Sequence, residues 1–317
     1  FLTDRGASLD DIISKKGFER NAAVAAAKEA ANENDETRKR FEVMCRMVFS
    51  KFKACLTVTG INRYRKDYEA INVIYKSLQK DREQADISDI IRQLHQVVDE
   101  TIETRPGTWH PQPAYDISKI DFDRLRREFE RSATRRTTVQ NLKTAIEVRL
   151  QRLLERNPLR TDFQRHYEQI VAEYNREKDR VTIEQTFEAL IRFIDEMSEE
   201  EFRALREGLD EETLAVFDLL KKPELSAGEI KKVKAISVDL LKTLKEEKLR
   251  ITRWRDKEAT RDAVRQAIYD FLWNDSTGLP VDKYTEADVQ MKADDVYRHV
   301  YRAYPTLPSP FYQQPAA

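Results

Sequence analysis

Glycine and proline are scarce in this sequence, and this scarcity restricts the fold more than any other feature. Seven glycines and ten prolines occur among 317 residues, less than half of the roughly 12% that the two residues contribute on average. Sandwiches, barrels and dinucleotide-binding folds need glycine for tight turns and close approach of the backbone. The composition therefore predicts an all-α fold of long helices.

The balance of charged and apolar residues indicates helices with one solvated face and one buried face. Charged residues make up 36% of the chain and hydrophobic residues 40%, which is enough apolar surface for a core. Because long helices joined by short turns pack antiparallel, we expect a multi-helix array of antiparallel helices.

Apolar residues recur every three or four positions in several stretches, which is the spacing of a helix face. The clearest run extends from Asn34 to Leu56, and a second run over 61–78 follows a break at Gly60. Capping boxes at Ser198, Ser226 and Thr285 predict later helix starts. Further runs cover 87–102, 122–129, 139–154, 163–174 and 183–194.

A stretch rich in proline divides the helical pattern. Residues 105–118 contain three of the ten prolines, which is typical of a loop or junction. We therefore predict two helical subdomains at residues 1–104 and 119–303. The proline-rich tail over 304–317 is predicted to be an extended strap or a free end.

Motifs that carry enzyme chemistry are missing from this chain. No Walker-type loop, dinucleotide-binding glycine motif or nucleophile elbow occurs, and the four histidines stand singly. Two E-x-K triplets occur, but both lie on predicted helices without the acidic strand residue of a nuclease site. The sequence therefore predicts no catalytic residue, no cofactor-binding residue and no metal ligand in this chain. The residues considered and rejected for such roles are His95, His110, His166 and His299, and the triplets at 229–231 and 246–248.

The two cysteines indicate a reducing compartment. Cys45 and Cys55 are ten residues apart on one predicted helix, or about 15 Å at 1.5 Å per residue, which is too far for a disulfide. With no apolar run long enough to span a membrane, we expect a cytoplasmic protein. The chain begins at Phe1 rather than Met, and we expect it to be a piece of a longer polypeptide.

Charge is unevenly distributed although the net charge is −1. Residues 119–165 hold thirteen basic residues against seven acidic ones, whereas residues 192–212 hold nine acidic residues against three arginines. We favour the interpretation that the two segments neutralise each other or face water. The alternative is that the basic segment contacts a DNA backbone. The candidate residues for that DNA contact are Arg124, Arg126, Arg127, Arg131, Arg135, Arg136, Arg149 and Arg152.

An aromatic residue with basic neighbours stands near the end of the chain. Trp254, Lys257 and Arg261 have the spacing of one helical face. Such a face could contact a partner or stabilise packing through a cation–π interaction, and on physical grounds alone we favour packing.

The same block resembles part of a known family. Trp254-x-x-Lys257-x-x-Thr260-Arg261, followed by Leu279-Pro280 and the run from His299 to Tyr301, is similar to the C-terminal helical region of the R subunit of type I restriction-modification enzymes. The segments at 52–56, 64–72 and 121–126 resemble earlier parts of the same region.

The resemblance implies a docking role. In that family the helical region holds the R subunit, a nuclease and DNA translocase, on the modification (methyltransferase) core, which also includes a specificity subunit. ATP and Mg²⁺ are then implied for other domains of the subunit and no cofactor for this region. The candidate docking residues are Trp254, Lys257, Thr260, Arg261, Arg265 and His299.

Two other functions are open to a chain of this kind. One is a helical domain that guides duplex DNA to the motor through the basic segment 119–165. The other is a free-standing coiled-coil adaptor, which the absence of sustained heptads disfavours.

Overall fold

The computed structural model of the chain describes residues 1–87, 89–91, 94, 122–176, 180–274 and 276–312. Helices dominate these residues, and no β-strand occurs among them, so the all-α prediction is confirmed. The predicted junction at 105–118, together with His95 and His110, lies outside the described residues. We number the helices α1 (Leu9–Ser14), α2 (Gly17–Ala31), α3 (Asp35–Ala54), α4 (Arg65–Glu83), α5 (Phe122–Arg131), α6 (Arg135–Arg156), α7 (Thr161–Arg176), α8 (Arg180–Glu201), α9 (Arg203–Glu207), α10 (Glu211–Leu220), α11 (Ala227–Glu247), α12 (Glu258–Leu272) and α13 (Glu286–Ala303).

Local sequence signals explain where several helices begin. The side chains of Ser226 and Thr285 form the predicted capping boxes with Glu229 and Asp288 at the starts of α11 and α13. The capping box predicted at Ser198 is wrong. Ser198 lies inside α8, where its hydroxyl donates to the carbonyl of Ile194 instead of capping a helix.

The first strongly periodic stretch forms α3 but buries only part of its apolar pattern. Asn34 caps this helix by accepting from the Thr37 amide at 2.8 Å. Phe41 and Cys45 are buried, and Cys45 and Cys55 are free thiols, as predicted. The outward side of α3 nevertheless exposes four apolar residues, which we call the α3 apolar face: Val43, Met44, Met47 and Val48.

Contacts divide the chain into two compact units. Unit 1 comprises Phe1–Val148 and Arg165–Ser198, and unit 2 comprises Arg149–Gln164 and Glu199–Ala317. These divisions differ from the subdomains predicted at 1–104 and 119–303. The junction predicted between them lies outside the described residues, so that part of the domain organisation stays a prediction.

Polar contacts tie the helices of unit 1 together. Glu29 of α2 accepts from the backbone amides of Arg136 and Thr137 at 2.6 and 2.9 Å, so a carboxylate lies at the N-terminus of α6. The hydroxyl of Tyr174 lies 3.0–3.1 Å from two carbonyl oxygens at residues 32 and 33. These bonds fix the register between segments that are far apart in sequence.

Unit 2 has its own hydrophobic core. Helices α10 to α13 contribute most of its buried side chains, and α12 packs against α13. Residues 304–312 are not helical. This segment lies against the core, where Tyr304 is buried and the hydroxyl of Tyr312 donates to the carbonyl of Arg156.

Candidate functional site

Four of the six docking residues predicted from the sequence lie in the loop between α11 and α12 or in the first turn of α12. The proposal that Trp254, Lys257 and Arg261 share one helical face is wrong, because α12 begins only at Glu258. Residues 251–256 form turns, and Lys257 is the N-cap residue of α12. The block therefore shapes a loop as well as the first turn of a helix.

Trp254 lies in the core of unit 2 and not on its surface. Its side chain is 1% exposed, and its Nε1–H donates to the carbonyl oxygen of Tyr304 at 2.9 Å. The indole and the ring of Tyr301 pack edge to face, with ring centroids 5.9 Å apart. The packing interpretation therefore holds for Trp254, which can affect a partner only by positioning the residues around it.

Two other residues of the block hold the loop in place. The hydroxyl of Thr260 lies within hydrogen-bonding distance of the carbonyl oxygens of Trp254 and Lys257. The guanidinium of Arg261 donates to the carbonyl of Arg255 at 2.9 Å. Both side chains satisfy carbonyl groups of the loop, so they fix its backbone relative to α12.

His299 is buried on α13, next to the C-terminal segment. Burial lowers its pKa to about 4, and the charge of Arg302 adds to this effect. Its Nε2 lies 3.1 Å from the hydroxyl of Tyr312. Because the single hydroxyl proton of Tyr312 is donated to the carbonyl of Arg156, we assign the proton of the neutral imidazole to Nε2. His299 thus has a structural role in the uncharged form.

Two tyrosines of α13 lie side by side between an arginine of the loop before α12 and an arginine of α12. The guanidinium of Arg255 lies over the ring of Tyr301 at 5.4 Å, and that of Arg265 lies over the ring of Tyr297 at 5.1 Å. The two tyrosine rings are 6.1 Å apart. We call these four residues the Arg–Tyr ladder.

The ladder presents both charge and aromatic surface. Tyr301 is 40% exposed, and Arg265 also pairs with Asp294 at 3.1 Å. Burial raises the pKa of Tyr297, and the charges of Arg261 and Arg265 oppose that shift. These contacts orient the side chains before any partner binds.

The aromatic surface continues along α12. Tyr269 and Trp273 follow Arg265 at intervals of four residues, and their rings stack with centroids 6.4 Å apart. Trp273 is 42% exposed. Of the predicted docking residues only Lys257 and Arg265 are exposed; the tyrosines of the ladder were not among them, although their i, i+4 spacing on α13 is a sequence signal.

The basic segment 119–165 is engaged in many ion pairs. Arg149 makes a bidentate pair with Glu201 at 2.7 and 2.9 Å, and the buried Arg160 binds Glu200 and Glu211. These three glutamates belong to the acidic segment 192–212, so the two segments partly neutralise each other within unit 2. In unit 1, Arg124, Arg126 and Arg135 pair with Glu128, Glu188 and Glu184. The DNA contact of the eight arginines named from the sequence stays a prediction.

The other residues considered from the sequence for metal binding or nuclease chemistry make structural contacts in the described part of the chain. Glu229, from the first E-x-K triplet, forms the capping box of α11. His166 lies 3.2 Å from Glu196 on the surface of unit 1. No group of three or more metal-ligating side chains occurs in the described part of the chain, and none of the helices described there is long and apolar enough to cross a membrane.

Comparisons with known proteins were made for the whole sequence. Residues 4–293 match a family model described as "Type I restriction enzyme HindI endonuclease subunit-like, C-terminal". A search of curated proteins and a search of solved structures each gave no significant match.

Proposed function

Since the chain belongs to the family of C-terminal regions of type I restriction enzyme HindI endonuclease subunit-like proteins, we propose that it docks such a subunit onto the methyltransferase core of a type I complex. The partners in this proposal are the modification and specificity subunits. The region itself contributes no catalytic group, and ATP and Mg²⁺ bind to other parts of the subunit.

The Arg–Tyr ladder carries this proposal. Arginine and tyrosine are enriched at protein interfaces and among the residues that dominate binding energy. The ladder places two residues of each type in one row, and Trp273 lies at the C-terminal end of α12, the helix that carries Arg265. A surface of this composition is more typical of a protein interface than of a solvated helix face.

The way the ladder is held favours binding as well. Arg255 also donates to the carbonyl of Tyr301 at 3.0 Å, and Trp254 supports the ring of Tyr301 from the core. Because these side chains are already ordered, less conformational entropy is lost when a partner covers them. In this proposal the Trp-Lys-Thr-Arg block holds the residues of the Arg–Tyr ladder in position, and Arg265 contacts the partner directly.

Oxidative footprinting of the complete subunit, alone and with the methyltransferase core, tests this assignment. We expect the modification of Tyr301 and Trp273 by hydroxyl radicals to fall on assembly, because a partner covers both rings. Tyr64 and Met47 of unit 1 serve as matched references, since they are 49% and 52% exposed. Their modification is expected to stay unchanged.

The footprint also distinguishes the ladder from the α3 apolar face. Protection of Met47 without protection of Tyr301 would place the interface on unit 1 and refute the ladder assignment. Deletion of residues 250–317 is a poorer test, because it removes Trp254, Tyr284 and Tyr304 from the core of unit 2.

A further inference from the structure

The loop between α11 and α12 carries a dense positive charge, and the docking proposal leaves three of its five basic residues unused. Between residues 248 and 257 there are five basic residues and a single acid, Asp256. The basic segment 119–165 has a net charge of similar size spread over a stretch more than four times as long. The charged residues of the loop are Lys248, Arg250, Arg253, Arg255, Asp256 and Lys257.

This loop forms one side of an open pocket of about 570 Å³. Arg250, Arg253 and Arg255 line the pocket, and Thr252 and Thr306 add hydroxyl groups. All of these groups can donate hydrogen bonds to an anion. Three arginines along one concave surface attract a group with several anionic oxygens.

The pocket also has an apolar side and a suitable size. Ile251, Pro305 and Leu307 line it beside the polar groups, and Ile251 is exposed. Pockets that hold small ligands usually have volumes of roughly 300–1,000 Å³. A phosphate with its attached sugar therefore fits the mixture of charged and apolar walls.

The backbone of the loop is held in an unusual conformation. Arg253 has a φ of 57°, a left-handed conformation that costs a non-glycine residue on the order of 1 kcal/mol. The neighbouring Trp254 is fixed in the core, and the Asp256 amide donates to the Arg253 carbonyl at 2.9 Å. The loop thus presents its arginines from a defined backbone.

The positive charge is only weakly compensated. Asp256 is the acid that lines the pocket, and its carboxylate lies 3.4 Å from Nε of Arg253. Both side chains are mostly exposed, so water screens this pair. Arg255 donates one of its N–H groups to the Tyr301 carbonyl, and a guanidinium has five donors in all.

We propose that this pocket binds a phosphate group of the DNA backbone. The planar guanidinium groups match the oxygens of a phosphate, the threonine hydroxyls supply further donors, and the apolar wall accommodates the deoxyribose. The contact is independent of base sequence. It is also distinct from docking, because Arg250 and Arg253 lie outside the Arg–Tyr ladder, and Arg255 is the residue that the two surfaces share.

Binding of a fluorescent DNA duplex of about 20 base pairs by the 317-residue chain tests the proposal, with anisotropy measured between about 50 and 200 mM salt. The double substitution Arg250→Gln and Arg253→Gln removes two exposed cations. We expect it to weaken binding at least about tenfold at the lowest salt. The slope of log affinity against log salt should become shallower by about 1, because the contact with one phosphate is lost.

The matched control is Lys231→Gln with Lys232→Gln, which makes the same charge change at exposed positions of α11. Its affinity for DNA should stay within about twofold of the wild type, and circular dichroism should show the same helix content for all three proteins. An equal loss of affinity in both double variants would mean that only net charge matters and would overturn the proposal.

Two further probes identify the source of the phosphate. If inorganic phosphate binds in calorimetry and the duplex does not, the pocket is a phosphate site for a small molecule, and the DNA backbone is excluded as its ligand. If neither probe binds at 50 mM salt, or if polyglutamate binds as tightly as DNA, the phosphate site itself is refuted.

Discussion

Replacement of Trp254 by phenylalanine tests whether this residue stabilises unit 2 from within. The indole Nε1–H is bonded to the Tyr304 carbonyl, and both residues are buried. Phenylalanine leaves that carbonyl without its partner, which costs about 1–3 kcal/mol. The smaller ring also leaves a cavity, which adds about 1 kcal/mol. We therefore expect the free energy of unfolding to fall by about 2–4 kcal/mol.

Urea unfolding followed by circular dichroism measures this change, with Trp273→Phe as the matched control. Trp273 is 42% exposed, so the same substitution there should cost less than about 1 kcal/mol. A loss below about 1 kcal/mol for Trp254→Phe would refute the burial argument. Unchanged stability combined with lost assembly would instead mean that the indole contacts the partner directly.

Three other substitutions test separate parts of the structure. The pKa of His299 falls from 6.5 to about 4 on folding, so its contribution to stability is complete above pH 6.5. About 3 kcal/mol of stability is then lost as the pH falls towards 4. In urea unfolding at several pH values, His299→Gln should lack this part of the acid sensitivity, and identical pH profiles of the variant and the wild type would contradict the prediction. Arg160→Gln removes the cation that pairs with Glu211 and Glu200, of which Glu200 keeps Arg203 as a partner, and should cost about 2–4 kcal/mol in urea unfolding. Arg206→Gln, which breaks an exposed ion pair, should cost less than about 1 kcal/mol, and equal costs would refute the distinction. A Cβ at Gly278 would meet backbone atoms at residues 272 and 274, whereas a Cβ at Gly228 meets nothing within 4 Å. In thermal unfolding, Gly278→Ala should therefore destabilise the protein by about 1–3 kcal/mol, and Gly228→Ala should not destabilise it.

The fold class could be predicted because its signals are local. Glycine scarcity and the spacing of apolar residues report on helices that each form within one stretch of chain. The capping boxes at Ser226 and Thr285 were found for the same reason. The capping box predicted at Ser198 is wrong because a serine followed by a glutamate also occurs inside helices. There the serine hydroxyl can donate to a backbone carbonyl of the preceding turn, as Ser198 does.

The candidate site was harder to predict because it depends on tertiary packing. The W-x-x-K-x-x-T-R block was recognised, but sequence cannot show that Trp254 is enclosed by Tyr301 and Tyr304. Likewise, the α3 apolar face has the spacing of a buried stripe, yet it is exposed. Pairing of Arg149 and Arg160 with the acidic segment also joins residues 40 or more positions apart.

The affinity of the complete subunit for the methyltransferase core is the most direct test of the docking proposal. Tyr301→Ala removes a ring of the Arg–Tyr ladder, and Tyr64→Ala removes a similarly exposed ring from unit 1. We expect Tyr301→Ala to raise the dissociation constant at least about tenfold, or about 1.4 kcal/mol, and Tyr64→Ala to change it less than about twofold. Equal effects of the two substitutions, or no effect of Tyr301→Ala, would contradict docking through the ladder.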